Sequence, residues 1–320
     1  MKTETQPEQF YSELRILCAH KHIKSEWSRK EGDGKISVLW CRDCGLGRVK
    51  PFPTQEELTR RYSRNPVYGL SYRNESHGGF PTRIKRLSTL FPQRGRVLDV
   101  GSGLGYFLKI ARDDGWQVDG IEPRSAAVKF CYRNFGIKVH EGFLEDFVKK
   151  TGVYHAITLW DVLEHVFDPI RFLERCLELL IPGGILVIAI PNASGWPARI
   201  FRGRWRYVMP AHLYYIKMPF ISQLLSSYNM HLERADHTVK IHSLVQGLIS
   251  LLPFKVNQDR VFNIGIRENG RPTGHGKKAE GAATKAGPMQ IARELAFKFN
   301  MMSLPVGIGD MVDLYYRKGR

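Results

Sequence analysis

Residues 97–108 read Val-Leu-Asp-Val-Gly-Ser-Gly-Leu-Gly-Tyr-Phe-Leu: a short apolar run, three glycines at alternate positions, and a second apolar run. Glycine lets the backbone turn sharply and approach a ligand without a Cβ in the way. A helix beginning at Tyr106 would direct its free N–H groups toward the same ligand. The stretch therefore predicts a strand, a ligand-binding loop and a helix, which is the repeating unit of an α/β fold.

An acidic residue stands where the next predicted strand ends, because Glu122 follows Gly101 by 21 positions. A carboxylate at that place can accept hydrogen bonds from both ribose hydroxyls of an adenosine group. The dinucleotide fingerprint would need a third glycine at position 106, where this sequence has Tyr106. The combination favours an adenosyl cofactor without a pyrophosphate over a nicotinamide dinucleotide.

Strand-like and helix-like segments alternate beyond this loop. The predicted strands are Arg96–Val100, Gln117–Glu122, Lys138–Gly142, Tyr154–Asp161 and Ile185–Pro191, with a terminal strand at Met311–Arg317. The predicted helices between them are Tyr106–Asp113, Ser125–Phe135 and Pro169–Leu180. The strands are short and continuously apolar, as in a parallel sheet that is covered on both faces. We therefore predict an α/β fold with a doubly wound, mostly parallel sheet.

The chain divides into three predicted zones. Residues 1–50 form a small module with a cysteine pair, residues 51–93 an Arg- and Tyr-rich helical connector or lid, and residues 94–320 the α/β domain. Within the last zone, residues 265–288 are rich in Gly, Ala and Lys and predict a flexible insertion. Helices are predicted on either side of it, at 244–252 and 291–299.

The 320 residues carry a net charge of +17. This favours an anionic partner, namely a phosphorylated or nucleotide-linked molecule, nucleic acid or an acidic membrane surface; a basic, well-solvated surface is the alternative. The polar start is unlike a secretory signal, and no apolar run approaches the ~20 residues that span a bilayer. The odd number of cysteines, five, favours free thiols. We expect a cytoplasmic protein without a transmembrane segment.

Five stretches in this order resemble the class I S-adenosylmethionine-dependent methyltransferases. They are VLDVGSGLGYFL (97–108), GIEPRSAAV (120–128), AITLWDVLEHVFDP (156–169), LLIPGGILVIAIPN (179–192) and PAHLYY (210–215). Within the family, the chain looks most like the ubiquinone-biosynthesis O-methyltransferases and the bacterial glycan or natural-product methyltransferases. The resemblance implies a Rossmann-like, seven-stranded sheet and S-adenosyl-L-methionine as the cofactor.

The resemblance also implies which residues bind this cofactor. They are Arg83, Asp99, Gly101, Ser102, Gly103, Gly105, Glu122, Leu144, Glu145 and Trp160. The glycines would line the methionine and ribose portions, Glu122 the ribose, and Leu144 and Glu145 the adenine. Arg83 is either a partner for the methionine carboxylate or one solvated arginine among many.

Chemistry-bearing side chains follow the predicted fourth strand at Asp161, Glu164 and His165, and a further histidine stands at His212. Methyl transfer from a sulfonium requires alignment of donor and acceptor, and a hydroxyl acceptor also has to lose a proton. Three alternatives stay open. The four residues bind a divalent cation such as Mg²⁺, as the resemblance at E-x-x-E-H suggests; His165 or His212 acts as a metal-free base beside Glu164; or these side chains only brace the loop.

The N-terminal cysteines suggest a zinc-ribbon-like module, because Cys41 and Cys44 form a C-x-x-C on a predicted turn. Cys18 with His20 or His22 would complete a tetrahedral Zn²⁺ site of structural type. Related methyltransferases have a second thiol at the place of Lys21, so a knuckle held by packing is the alternative. Cys131 and Cys176 are expected to be small buried apolar side chains.

Between Arg199 and Lys217 there are five basic residues and no acid. The aromatic residues among them are Phe201, Trp205, Tyr207 and Tyr214. Arginine pairs well with phosphate and aromatic rings can stack on an acceptor, although a flap packed over the sheet end is the alternative. We expect a hydroxyl of a small or glycan-linked, anionic acceptor, with carbon or nitrogen acceptors and an RNA-directed enzyme as alternatives. Peripheral membrane contact also fits the charge.

Overall fold

The computed structural model describes residue 18 and residues 22–31, 34–64, 79–147, 151–239, 302–304 and 309–320. The helices predicted at 244–252 and 291–299, and the insertion predicted at 265–288, lie outside these residues. Among the described residues, no helix is both long and apolar enough to cross a bilayer.

The described residues form twelve strands and seven α-helices. The strands are β1 Ile23–Glu31, β2 Gly34–Cys41, β3 Gly47–Lys50, β4 Arg96–Val100, β5 Gln117–Glu122, β6 His140–Glu141, β7 Tyr154–Trp160, β8 Leu180–Pro191, β9 Tyr214–Tyr215, β10 Met230–Val239, β11 Met302–Leu304 and β12 Met311–Lys318. The helices are α1 Gln55–Arg64, α2 Phe80–Leu90, α3 Tyr106–Asp113, α4 Ser125–Phe135, α5 Pro169–Leu179, α6 Trp196–Phe201 and α7 Met218–Ser227.

The main sheet has the strand order β11-β10-β12-β8-β7-β4-β5-β6. The five strands from β8 to β6 are parallel to one another, and β12, β10 and β11 continue the sheet antiparallel. The predicted doubly wound, mostly parallel sheet is confirmed, and the short β11 adds an eighth strand at its edge.

Apolar layers cover both faces of this sheet. Neighbouring residues of β4 enter different clusters: Val97 packs with residues of α2 and α3, and Leu98 packs with the cluster that includes α5 and α7. In β8, the six residues from Ile185 to Ile190 are all buried. This explains why the sequence of β8 is continuously apolar rather than alternating.

Two predicted strands differ most from the structure in their bounds. Strand β8 begins at Leu180 rather than at Ile185, because Leu180 already pairs with Tyr154 ahead of an irregularity in the β7–β8 ladder. Strand β6 has two residues rather than five, since it lies at the exposed edge and pairs with β5 alone. A single 3-10 turn at Leu163–His165 follows β7.

A second, antiparallel sheet has the order β1-β2-β3-β9. Its last strand comes from the predicted α/β domain, because Gly47 and Arg48 pair with residues 215 and 214. Trp27 packs against Trp40 and also against Trp205 of that domain, with ring centroids 4.8 Å and 6.2 Å apart. Strand β9 of the larger domain therefore completes the N-terminal sheet, and the two parts of the chain have an apolar core in common.

Candidate active site

The glycine loop between β4 and α3 has a backbone that only glycine adopts readily. Gly101, Gly103 and Gly105 have φ angles of 74°, 55° and 79°, in the left-handed region. A Cβ on Gly101 would stand 2.7 Å from Val162 Cγ2, and one on Gly105 would stand 2.1 Å from Cys131 Sγ. The loop is thus both left-handed and closely packed, as the sequence predicts for a ligand cradle.

The Glu122 carboxylate lies beside this loop and is 2% exposed. Its Oε2 accepts a hydrogen bond from the Gly103 N–H at 2.8 Å, which ties the end of β5 to the loop after β4. The backbone N–H of Arg124 donates to Oε1 at 3.0 Å, and the Arg124 guanidinium donates to both oxygens. Sequence reasoning missed Arg124 although it lies in the stretch 120–128, because only the contact with Glu122 singles it out.

Asp99 in β4 and Ser102 in the loop differ in their hydrogen-bond partners. Asp99 is buried and accepts a hydrogen bond from Thr158 Oγ1 at 2.7 Å, and burial raises its pKa to about 8. This hydrogen bond joins β4 to β7 directly before the loop. Ser102 Oγ is buried and has no hydrogen-bond partner among the described residues, so it is left for a ligand to satisfy.

The other predicted cofactor residues follow strands β6 and β7. Leu144 is buried and Glu145 is exposed on the 3-10 turn that follows β6. Trp160, the last residue of β7, is buried, and its ring centroid lies 5.1 Å from that of Phe107. Its Nε1 has no partner among the described residues.

Arg83 is buried rather than solvated. Its Nε and Nη2 donate to the two carboxylate oxygens of Asp313, each at 2.7 Å, and its guanidinium lies 4.5 Å from the centre of the Trp160 ring. Two of the three guanidinium nitrogens are thus bonded to Asp313, and contact of Arg83 with a methionine carboxylate stays a prediction. No sequence motif predicts this pairing, because Asp313 follows Arg83 by 230 residues.

The candidate catalytic residues form one cluster where β7 ends. The ring centroids of His165 and His212 lie 4.7 Å apart, and ligand atoms of Glu164, His165 and His212 lie within 4.8 Å of one another. The backbone joins the two loops, since the Leu213 N–H donates to the Glu164 carbonyl at 2.7 Å. Asp161 does not belong to this group, although its charge raises the pKa of Glu164.

Both histidines in this cluster are neutral bases. His165 Nδ1 lies 2.8 Å from the Ala211 carbonyl oxygen and donates to it, which leaves the Nε2 lone pair as the acceptor. Burial lowers the pKa of His165 below its ordinary value, and burial with the neighbouring His165 lowers that of His212 further. His165 is half-buried and His212 is buried, so His165 is the one that an acceptor can reach.

The donor set of the cluster does not suit the predicted Mg²⁺. Burial raises the pKa of Glu164 well above its ordinary value, and neither carboxylate oxygen has a partner among the described residues. Two imidazoles and one carboxylate are donors typical of a transition-metal ion, whereas Mg²⁺ prefers oxygen ligands.

Three N-terminal thiols come together as predicted. The Sγ atoms of Cys18 and Cys41 are 3.6 Å apart, and those of Cys18, Cys41 and Cys44 all lie within 4.8 Å of one another. The structure does not bring His22 to them, because its exposed Nδ1 contacts the Asp43 carboxylate at 3.0 Å instead. Of the alternatives for the fourth ligand, His20 lies outside the described residues.

The aromatic residues of the basic segment 199–217 do not form a stacking surface. Phe201, Trp205, Tyr207 and Tyr214 are all buried. The Trp205 ring packs on Trp27 and Tyr207, since the N-terminal sheet covers this side of the loop. Of the basic side chains, Arg199, Arg202 and Arg204 are exposed. The prediction that the rings meet the acceptor is wrong for the described structure.

The residues present fit an adenosyl cofactor. The glycine cradle has no room for added Cβ atoms at two of its positions, and Glu122 accepts a hydrogen bond from the Gly103 N–H of the loop. Ser102 Oγ in the loop and Trp160 Nε1 at the end of β7 are buried polar atoms without a partner among the described residues. The chemistry of these donors and acceptors matches a ribose and its neighbouring groups.

Comparison with known proteins agrees with this geometry. A family profile described as "Methyltransferase domain" matches residues 72–234, which is half of the chain. A ubiquinone biosynthesis O-methyltransferase of Actinobacillus pleuropneumoniae is 36% identical over 31% of this chain and 47% of its own length. One from Xanthomonas axonopodis is 33% identical over 37% of this chain and 52% of its own length. The chain thus spans about half the length of these curated relatives.

The chain is also similar to solved structures. A SAM-dependent methyltransferase from Archaeoglobus fulgidus is 16% identical, with a TM-score of 0.47, over 79% of this chain and 100% of that chain. The resemblance in the five sequence stretches is confirmed by the family profile, which covers the glycine loop, Glu122 and both candidate histidines. The chain belongs to the methyltransferase domain family.

Proposed function

We propose that the chain is an S-adenosylmethionine-dependent methyltransferase that methylates a hydroxyl group of a small, anionic acceptor. The observation that carries this proposal is the Glu122 carboxylate held against the Gly103 N–H of a left-handed glycine loop. The choice of a hydroxyl draws support from the O-methyltransferases among the relatives. An RNA acceptor is not proposed, because the rings that would stack on bases are buried.

The proposed reaction needs alignment and one proton acceptor. When bound, the cofactor supplies an electrophilic methyl group on a positively charged sulfur. We assign the proton acceptor to His165, whose Nε2 lone pair is held in place by the Nδ1 contact with Ala211. Its lowered pKa keeps the imidazole neutral at pH 7, so that it can take the proton of the acceptor hydroxyl.

Replacing Glu122 by alanine should weaken binding of S-adenosylhomocysteine by about 100-fold or more, because hydrogen bonds to a buried carboxylate contribute roughly 1.5–3 kcal/mol each. Calorimetric titration of the full chain measures this. Glu141→Ala, at an exposed position on the adjacent edge strand, is the matched control and should bind as the wild type does. Absence of binding by the wild type, or equal binding by Glu122→Ala, would refute the proposed cofactor site.

Replacing His165 by glutamine should lower kcat by about 10²–10⁴-fold and leave S-adenosylhomocysteine binding unchanged. The pH dependence of the rate is a more specific test of His165 as the proton acceptor. Since burial lowers the pKa of His165, the wild-type rate should fall only as the pH drops below the ordinary histidine pKa of about 6.5. Formation of S-adenosylhomocysteine with a panel of phenolic and sugar hydroxyl acceptors provides the rate. An acid limb that persists in His165→Gln contradicts the assignment.

We also propose that Cys18, Cys41 and Cys44 hold a structural Zn²⁺, on the basis of their mutual distances. Elemental analysis of the purified full chain should find about one zinc per chain. Cys44→Ser should lose it, whereas Cys131→Ser, which replaces a buried thiol elsewhere in the fold, should retain it. Zinc retained by Cys44→Ser, or absent from wild-type protein prepared with zinc, contradicts the proposal.

A further inference from the structure

The side chain of Arg124 is hydrogen-bonded to the Glu122 carboxylate. In the proposed function this carboxylate binds the ribose of the cofactor. Arg124 Nε donates to Glu122 Oε1 at 2.7 Å, and Nη2 donates to Oε2 at 3.3 Å. The backbone N–H groups of Arg124 and Gly103 donate to the same two oxygens, one to each. The Glu122 side chain is 2% exposed and that of Arg124 is 22% exposed, so the arginine lies on the solvent side of the acid.

These contacts use the hydrogen-bonding capacity of Glu122 completely. A carboxylate has about four lone-pair sites, and here four N–H groups fill them. The two backbone donors are fixed by the fold, whereas the two guanidinium donors belong to a flexible side chain. A ribose brings two hydroxyl donors. The ribose diol and the guanidinium therefore compete for the same two sites, and the backbone pair can keep the carboxylate oriented during the exchange.

The guanidinium also lies close to the glycine loop. Arg124 Nη2 is 3.9 Å from the point where a Cβ on Gly103 would stand. A guanidinium released from Glu122 therefore stays within reach of the loop, and there it can pair with a phosphate or carboxylate.

We propose that Arg124 exchanges partners during the binding sequence. Glu122 holds its guanidinium in the cofactor-free enzyme, the ribose diol displaces it, and the released guanidinium then binds the anionic group of the acceptor. This inference rests on the proposed function, and it makes cofactor binding precede acceptor binding. By linkage, an anion bound at Arg124 has to tighten cofactor binding by the same factor as the cofactor tightens anion binding.

Calorimetric titration of the full chain with S-adenosylhomocysteine tests the exchange, with inorganic phosphate as the anion and chloride matching the ionic strength. In the absence of phosphate, Arg124→Met should bind S-adenosylhomocysteine about three- to tenfold more tightly than the wild type, because no ion pair has to be broken. Phosphate should tighten binding by the wild type and leave Arg124→Met unchanged. Arg112→Met, an exposed arginine on the adjacent helix α3, should behave as the wild type does in both conditions.

Equal or weaker binding by Arg124→Met would overturn the inference, because Arg124 would then only support the orientation of Glu122. A wild type that does not respond to phosphate would overturn it as well. Arg124→Gln is the second variant if Arg124→Met does not fold, as judged by its thermal unfolding. Failure of the proposed function looks different: the wild type and both Arg124 variants would then not bind S-adenosylhomocysteine.

Discussion

Asp313→Ala should lower the free energy of unfolding by about 3–5 kcal/mol, since it leaves the guanidinium of Arg83 buried without its partner. The side chains of Arg83 and Asp313 are 9% and 2% exposed, and their two hydrogen bonds are both 2.7 Å long. Asp313 lies on β12 and Arg83 on α2, so the pair fixes this helix to the antiparallel part of the sheet. Denaturant unfolding of the full chain measures the change.

Two further variants make the test specific. The double variant Arg83→Met with Asp313→Leu should recover most of the lost stability, because apolar side chains can replace a buried ion pair. Asp113→Ala removes the partner of Lys109 in an exposed i,i+4 pair and should barely change the unfolding midpoint. If Asp313→Ala unfolds at the same denaturant concentration as Asp113→Ala, the buried pair does not hold the helix as described.

Gly105→Ala should abolish S-adenosylhomocysteine binding and destabilise the fold. The left-handed φ of 79° costs a residue with a Cβ about 1–2 kcal/mol. The added Cβ would also stand 2.1 Å from Cys131 Sγ in helix α4, and such overpacking costs about 1–3 kcal/mol more. Because Gly105 precedes the first residue of α3, movement there displaces the whole cradle. Calorimetric titration and denaturant unfolding of the same protein check both effects.

The chain offers a matched control for Gly105→Ala. Gly136 has a similar φ of 68°, but a Cβ there would meet no atom within 4 Å. Gly136→Ala should therefore show only the backbone strain and should bind S-adenosylhomocysteine normally. Adding Cys131→Ala to Gly105→Ala removes the Sγ contact and should recover part of the stability. Equal behaviour of Gly105→Ala and Gly136→Ala contradicts the packing of the loop against Cys131.

Features predicted correctly from the sequence are local in origin. The glycine loop, the acid at the end of β5 and the alternation of strands and helices each follow from spacing within about 20 residues. The burial of Cys131 and Cys176 also agrees with their apolar neighbours along the helices. The prediction that the aromatic residues of 199–217 stack on an acceptor was wrong, because their environment is set by residues far away in the chain. The N-terminal sheet packs on them through Trp27 and Trp205.

The kind of fold and the glycine loop can be predicted from the amino-acid sequence, because periodicity and glycine spacing act through the backbone of neighbouring residues. Which distant side chains come into contact becomes visible only in the folded chain. Folding paired Arg83 with Asp313, brought Trp27 to Trp205, and placed Arg124 on the carboxylate of Glu122. The first two meetings join residues far apart in the chain, and the third depends on the rotamer of a long side chain. A local sequence pattern predicts neither a contact between residues far apart in the chain nor the rotamer of a side chain, since burial and electrostatic pairing act only once the chain has folded.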